Sequence, residues 1–85
     1  MRVGQARRRD ANEGEIIDAL RAVGAHVTPI SGEGAPDLLV RYRRKLYAFE
    51  VKTGAGRRTK AQADSLWPIV RSVADALQAI GVTRL

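Results

Sequence analysis

The chain of 85 residues contains no cysteine and a single histidine. Without cysteine there is no disulfide framework and no thiolate zinc site, which fits a reducing compartment. His26 has no second histidine to share a metal and no serine arrangement suggesting a triad, so it reads as a structural residue at the start of a strand. No apolar run approaches a membrane span. The opening Met1-Arg2-Val3-Gly4-Gln5-Ala6-Arg7-Arg8-Arg9 lacks the apolar segment that follows the charges of a secretory signal. The expected location is therefore cytoplasmic, with no membrane partner. No internal repeat or second domain fits the length. A domain this small buries only about 60–65% of its unfolded surface, so its core is modest and self-association would help it.

What the chain has in excess is positive charge: 15 Lys and Arg against 9 Asp and Glu, a net +6. The bases cluster at Arg7-Arg8-Arg9, at Arg41, Arg43, Arg44 and Lys45, and at Arg57, Arg58 and Lys60. Any one cluster reads most simply as a solvated tip. Three of them flanking acids make a polyanionic partner the first expectation.

Residues 1–9 show no apolar periodicity and read as a flexible basic arm, serving either a phosphate backbone or solubility. Residues 10–85 read as one domain. A helix is predicted from Asp10 to Asn12 onward, with Ile16, Ile17, Leu20 and Val23 as its buried stripe and Gly24 as its end. Glu13 lies three and four residues before Ile16 and Ile17, hence on the apolar face, while Glu15 does not. Glu13 either closes a capping box with Asp10 or projects toward a site. His26 to Ile30 is predicted as the first strand, and Ser31-Gly32-Glu33-Gly34 as a loop.

Leu38 to Tyr42 and Leu46 to Val51 read as two strands, joined by a turn centred on Arg43-Arg44. That register pairs Val40 with Tyr47, Leu38 with Phe49 and Asp37 with Glu50. Directly opposed side chains lie roughly 4.5–5.5 Å apart, and Lys52 shares the face of Glu50 because strand side chains alternate. Two opposed carboxylates need a proton, a cationic partner or a metal ion. A hard divalent cation such as Mg²⁺ resolves the conflict best, leaving room for water and a phosphate oxygen. Lys52 would then orient or deprotonate the attacking water, or neutralise charge on phosphate in the transition state. The plain alternative is a surface hairpin with a Glu–Lys pair one pleat apart.

Beyond Lys52, Thr53-Gly54-Ala55-Gly56-Arg57-Arg58 is a basic glycine-rich loop without the G-K-[ST] ending of a Walker loop. Thr59 can cap a short helix through Leu66 that carries Gln62 in its first turn. Trp67 reads as a core or interface anchor. Pro68 to Arg71 is predicted as a short strand, and Ser72 with Asp75 as a capping box opening a last helix ended by Gly81. The whole is an α/β domain with a mixed β-sheet flanked by helices on both sides.

Gly34-Ala35-Pro36-Asp37, twelve residues, then Glu50-Val51-Lys52 resembles the signature of the PD-(D/E)xK nucleases. The surroundings resemble the small stand-alone VRR-NUC proteins, often phage-encoded, over most of the chain. The resemblance implies a restriction-endonuclease-like core and a Mg²⁺- or Mn²⁺-dependent endodeoxyribonuclease acting as a homodimer on branched DNA, in the manner of a Holliday junction resolvase. It implies metal binding by Asp37, Glu50, the Val51 carbonyl and, from the context Asn12-Glu13-Gly14-Glu15-Ile16, Glu13. It gives Lys52 a role in catalysis and Gln62 a supporting one. Arg43, Arg44, Arg57, Arg58 and Lys60 are the expected DNA contacts. The chain departs from the resemblance in the five residues between Gln62 and Pro68, a shorter helix than the family implies. Two other classes compete: a non-catalytic basic nucleic-acid-binding module on the same fold, and a small RNA-associated protein suggested by charge alone.

Overall fold

The computed structural model describes residues 11–52 and 66–82. The basic arm, Arg57, Arg58, Lys60, Gln62 and the start of the helix predicted at Thr59 lie outside these residues. Leu66, where that helix was expected to finish, forms a bend with Trp67.

Helix α1 spans Ala11–Ala22 and buries Ile16 and Leu20 completely. It stops where the left-handed conformation begins: Gly24 has φ 95°, its N–H donates to the Arg21 carbonyl (3.0 Å), and the Ala25 N–H donates to the Leu20 carbonyl (3.1 Å). This pair of bonds is the Schellman arrangement that glycine favours. Helix α2 (Val73–Ala79) ends the same way at Gly81 (φ 94°), with the Val82 N–H bonded to the Leu77 carbonyl at 2.8 Å. At its start the Ser72 hydroxyl accepts from the Asp75 N–H at 3.0 Å. The Asp75 carboxylate returns to the Arg71 N–H at 2.9 Å, one residue before the position a standard capping box uses. The cap thereby ties the helix to the strand that feeds it.

The strands are β1 (His26–Pro29), β2 (Leu38–Tyr42), β3 (Lys45–Val51) and β4 (Ile69–Val70), in that spatial order. β1, β2 and β3 are antiparallel neighbours, while β3 and β4 are parallel, so the sheet is mixed as expected. The hairpin register is the predicted one, with Leu38 opposite Phe49 and Val40 opposite Tyr47. Period-two alternation sends Leu38, Val40 and Phe49 to one face. There they join Ile16, Leu20, Val27, Val51, Val70, Ala76, Leu77 and Ile80 in one core. Each large side chain so buried contributes roughly 1.5–3 kcal/mol relative to exposure.

Both helices contribute to that core. On the other face Thr28, Arg41 and Leu46 are exposed, Leu46 to 70%, and Leu39 and Ala48 are half-buried. Cover on both sides was the expectation; among the described residues the cover is on one side. The physical reason lies in the strands, which alternate rather than run continuously apolar. His26, Thr28, Leu39, Arg41 and Leu46 line a shallow depression of about 340 Å³ on the open face. His26, at the start of β1, is exposed there. Among the described residues no helix is long and apolar enough to cross a membrane.

Candidate functional site

The site is built where β3 changes partners. Up to Phe49 it pairs with β2; from Glu50 it pairs with β4, the Glu50 N–H donating to the Pro68 carbonyl (2.8 Å) and the Lys52 N–H to the Val70 carbonyl (3.1 Å). The N–H and C=O of one strand residue lie on the same edge, so the polar backbone of Val51, between these two, faces away from β4. Asp37 fills that position. Its N–H donates to the Phe49 carbonyl at 2.9 Å and its Oδ2 accepts from the Val51 N–H at 2.8 Å. Asp37 is thus bonded to both sequence neighbours of Glu50, while the paired register itself ends at Leu38 opposite Phe49, one residue short of the predicted Asp37–Glu50 pair. The Val51 carbonyl lies on the same edge of β3 as the Asp37 carboxylate.

The strand entry is held from two directions. The Ile30 N–H donates to the Asp37 carbonyl (2.9 Å), and Trp67 Nε1 donates to the Gly34 carbonyl (3.1 Å), tying the loop before buried Pro36 to the segment that leads into β4. Trp67 is a half-buried anchor for the loop that delivers Asp37.

Each of the two carboxylates has a partner of its own. The Val51 N–H stabilises one oxygen of Asp37, and Lys52 Nζ stands 3.2 Å from Oε2 of Glu50. The ion-paired side chains are 35% (Lys52) and 23% (Glu50) exposed, so water screens the pair and its contribution to stability is about 0–1 kcal/mol. Its value is positional: it keeps an ammonium beside the acid pair.

Asn12, in the first turn of α1, ties the two diverging strand ends together. Its Nδ2 donates to the Lys52 carbonyl and to the Arg71 carbonyl, both at 3.2 Å. Sequence reading treated this residue only as a helix-start candidate. The signal that marks it is spacing, because Asn12 precedes buried Ile16 by one helical repeat and so faces inward.

Glu13 is 6% exposed and is the one buried charged residue among those described, on the face that Ile16 and Leu20 also occupy. Its predicted facing is the observed one. No buried side-chain nitrogen or oxygen among the described residues lacks a hydrogen-bond partner, so this carboxylate is already satisfied. Among the described residues no three acids or histidines lie close enough together to hold a metal ion between them. Glu13, Asp37 and Glu50 therefore do not form one preassembled cluster. Asp37, Glu50 and the Val51 carbonyl, close together along the strand, are hard oxygen donors of the kind Mg²⁺ and Mn²⁺ take.

At the far end of the hairpin, Arg43 and Arg44 form the two-residue turn, exposed, with the Arg43 guanidinium 5.2 Å from the centre of the Tyr42 ring. Comparison with protein-family models, with curated proteins and with solved structures found no match.

Proposed function

We propose that this chain is a metal-dependent, structure-selective DNA endonuclease built on a restriction-endonuclease-like core. The observation that carries the reading is the bonding of Asp37 on both sides of Glu50, with Lys52 Nζ 3.2 Å from that glutamate. Asp37, Glu50 and the Val51 carbonyl would hold Mg²⁺ or Mn²⁺. Such an ion, when bound, supplies charge neutralisation at a phosphate and lowers the pKa of a coordinated water. Lys52 then has two uses for its ammonium, to orient the attacking water or to donate to a phosphate oxygen as negative charge grows on it. Glu13, one residue from the Asn12 pin, assists from the helix if the site tightens around substrate. Arg43 and Arg44 would contact the phosphate backbone rather than read bases, which favours choice by DNA shape. A homodimer presenting two such sites suits a two-fold symmetric four-way junction.

A second reading is supported by the Glu50–Lys52 pair and by the lack of a three-acid cluster among the described residues: a basic module on the same fold that binds DNA and does not cut it. Incubation with plasmid and with branched DNA, with and without Mn²⁺, separates the two. Cleavage that needs Mn²⁺ and disappears in Glu50→Gln supports the nuclease; binding with no cleavage in any divalent metal leaves the binding module.

A further inference from the structure

The hairpin tip is strained where it need not be. Arg43 has φ 51° and Arg44 φ 70°, and among the described residues these are the only non-glycine positions with positive φ. A two-residue hairpin loop with both central residues in this region is a type I′ turn, which strongly prefers Asn-Gly. Arginine has neither glycine's freedom nor the short side chain that lets asparagine sit there. A turn that tolerates this strain while cheaper residues exist points to a use for the charges.

Three further observations say what kind of use. Arg41, Arg43, Arg44 and Lys45 are all exposed, and among the described residues none of them is paired with a carboxylate. The Arg43 guanidinium lies over the Tyr42 ring at 5.2 Å, which pre-orders it without consuming its hydrogen-bond donors. The tip is also rigidly connected to the acid pair, because five consecutive β2–β3 residue pairs join them.

From these we infer that the tip is a second DNA-backbone contact, held at a fixed distance from the acid end of the same hairpin. Asp37 and Arg43 are six residues apart, a span of about 20 Å in extended chain. At about 3.4 Å per base pair, phosphates within that reach lie no more than about six base pairs from one held at Asp37 and Glu50. The spanning distance rests on the nuclease reading; the phosphate contact at the tip does not. The chain grips duplex at two points, so the DNA flanking a cut must extend to the tip, and lengthening it past about six base pairs adds nothing.

The test uses the full chain and its Arg43→Asn/Arg44→Gly variant, which installs the preferred turn. In metal-free buffer, the slope of log Kd against log salt on a linear duplex falls by about 1.8 in the variant, for two lost phosphate contacts. Its Tm rises by at least about 4 °C as the strain is removed. An unchanged salt slope, or a Tm no higher than that of the wild type, overturns the inference. On cleavable substrates with a series of arm lengths in Mn²⁺, wild-type kcat/KM falls at least about tenfold when the arms are too short to reach the tip. The variant loses that dependence. Cleavage indifferent to arm length overturns the two-point grip while leaving the nuclease standing; no cleavage of any substrate removes the nuclease reading, and the salt slope still decides the tip.

Discussion

Replacing Asn12 tests how the site is held open. Its amide donates at 3.2 Å to the Lys52 and Arg71 carbonyls, groups that belong to the ends of β3 and β4 and are joined to one another only through the sheet. In Asn12→Ala both carbonyls lose a donor. At about 0.5–1.5 kcal/mol net per bond, and both bonds at the long end of the distance range, the loss is about 1–2 kcal/mol. For a domain of this size that lowers Tm by roughly 4–8 °C per kcal/mol. Asn12→Asp sharpens the test. A carboxylate near the N-terminus of α1 gains about 0.3–1 kcal/mol from the helix dipole, which argues for a milder variant than alanine. It has no donor, however, and presents negative oxygen to two carbonyl oxygens in a half-buried position, a conflict worth about 1–3 kcal/mol or more. The second effect is larger, so Asn12→Asp is less stable than Asn12→Ala by thermal and urea denaturation. If the aspartate variant equals or exceeds the alanine variant in stability, Asn12 is not the donor that pins these strands.

Asp37→Ala, Glu50→Ala and Lys52→Ala are each expected to abolish cleavage and to leave duplex affinity within a few-fold, since on the proposed reading the arginines do the holding; normal turnover in any folded variant would remove that residue from the chemistry. Glu50→Gln breaks a screened ion pair and shifts stability by no more than about 1 kcal/mol, so denaturation curves close to wild type beside lost cleavage locate its role in the reaction. Millimolar Mn²⁺ is expected to raise the wild-type Tm and not that of Glu50→Ala, because an ion held at Glu50 would stabilise the fold by mass action; equal responses would mean no site there. Light scattering is expected to show a dimer, and junction DNA to be cut in preference to linear duplex; a strict monomer cutting both alike would be a general nuclease.

Much of the fold was legible because it is set by local chemistry. Gly24 and Gly81 mark both helix ends since only a residue at ease with positive φ closes a Schellman turn. The alternation through Leu38, Val40 and Phe49, with a loss of apolar character at Arg43-Arg44, places the turn; once the turn is placed, the pairs from Tyr42 with Lys45 to Leu38 with Phe49 follow. Glu13 was assigned to the buried face by helical spacing alone. The chain order cannot say where β3 leaves β2 for β4, because that exchange depends on a parallel partner beyond residues 53–65. Nor can it say that Asp37 spends one oxygen on the Val51 N–H, which needs a donor that the exchange itself turns away from β4. The Asn12 bonds span 40 and 59 residues and become possible only after helix and sheet have packed. The identity of the acids and the closeness of Lys52 to Glu50, two residues apart on one strand, were written in the chain; that Glu13 does not join Asp37 and Glu50 in one cluster was decided by long-range packing, since only the assembled fold fixes distances between residues that the sequence keeps far apart.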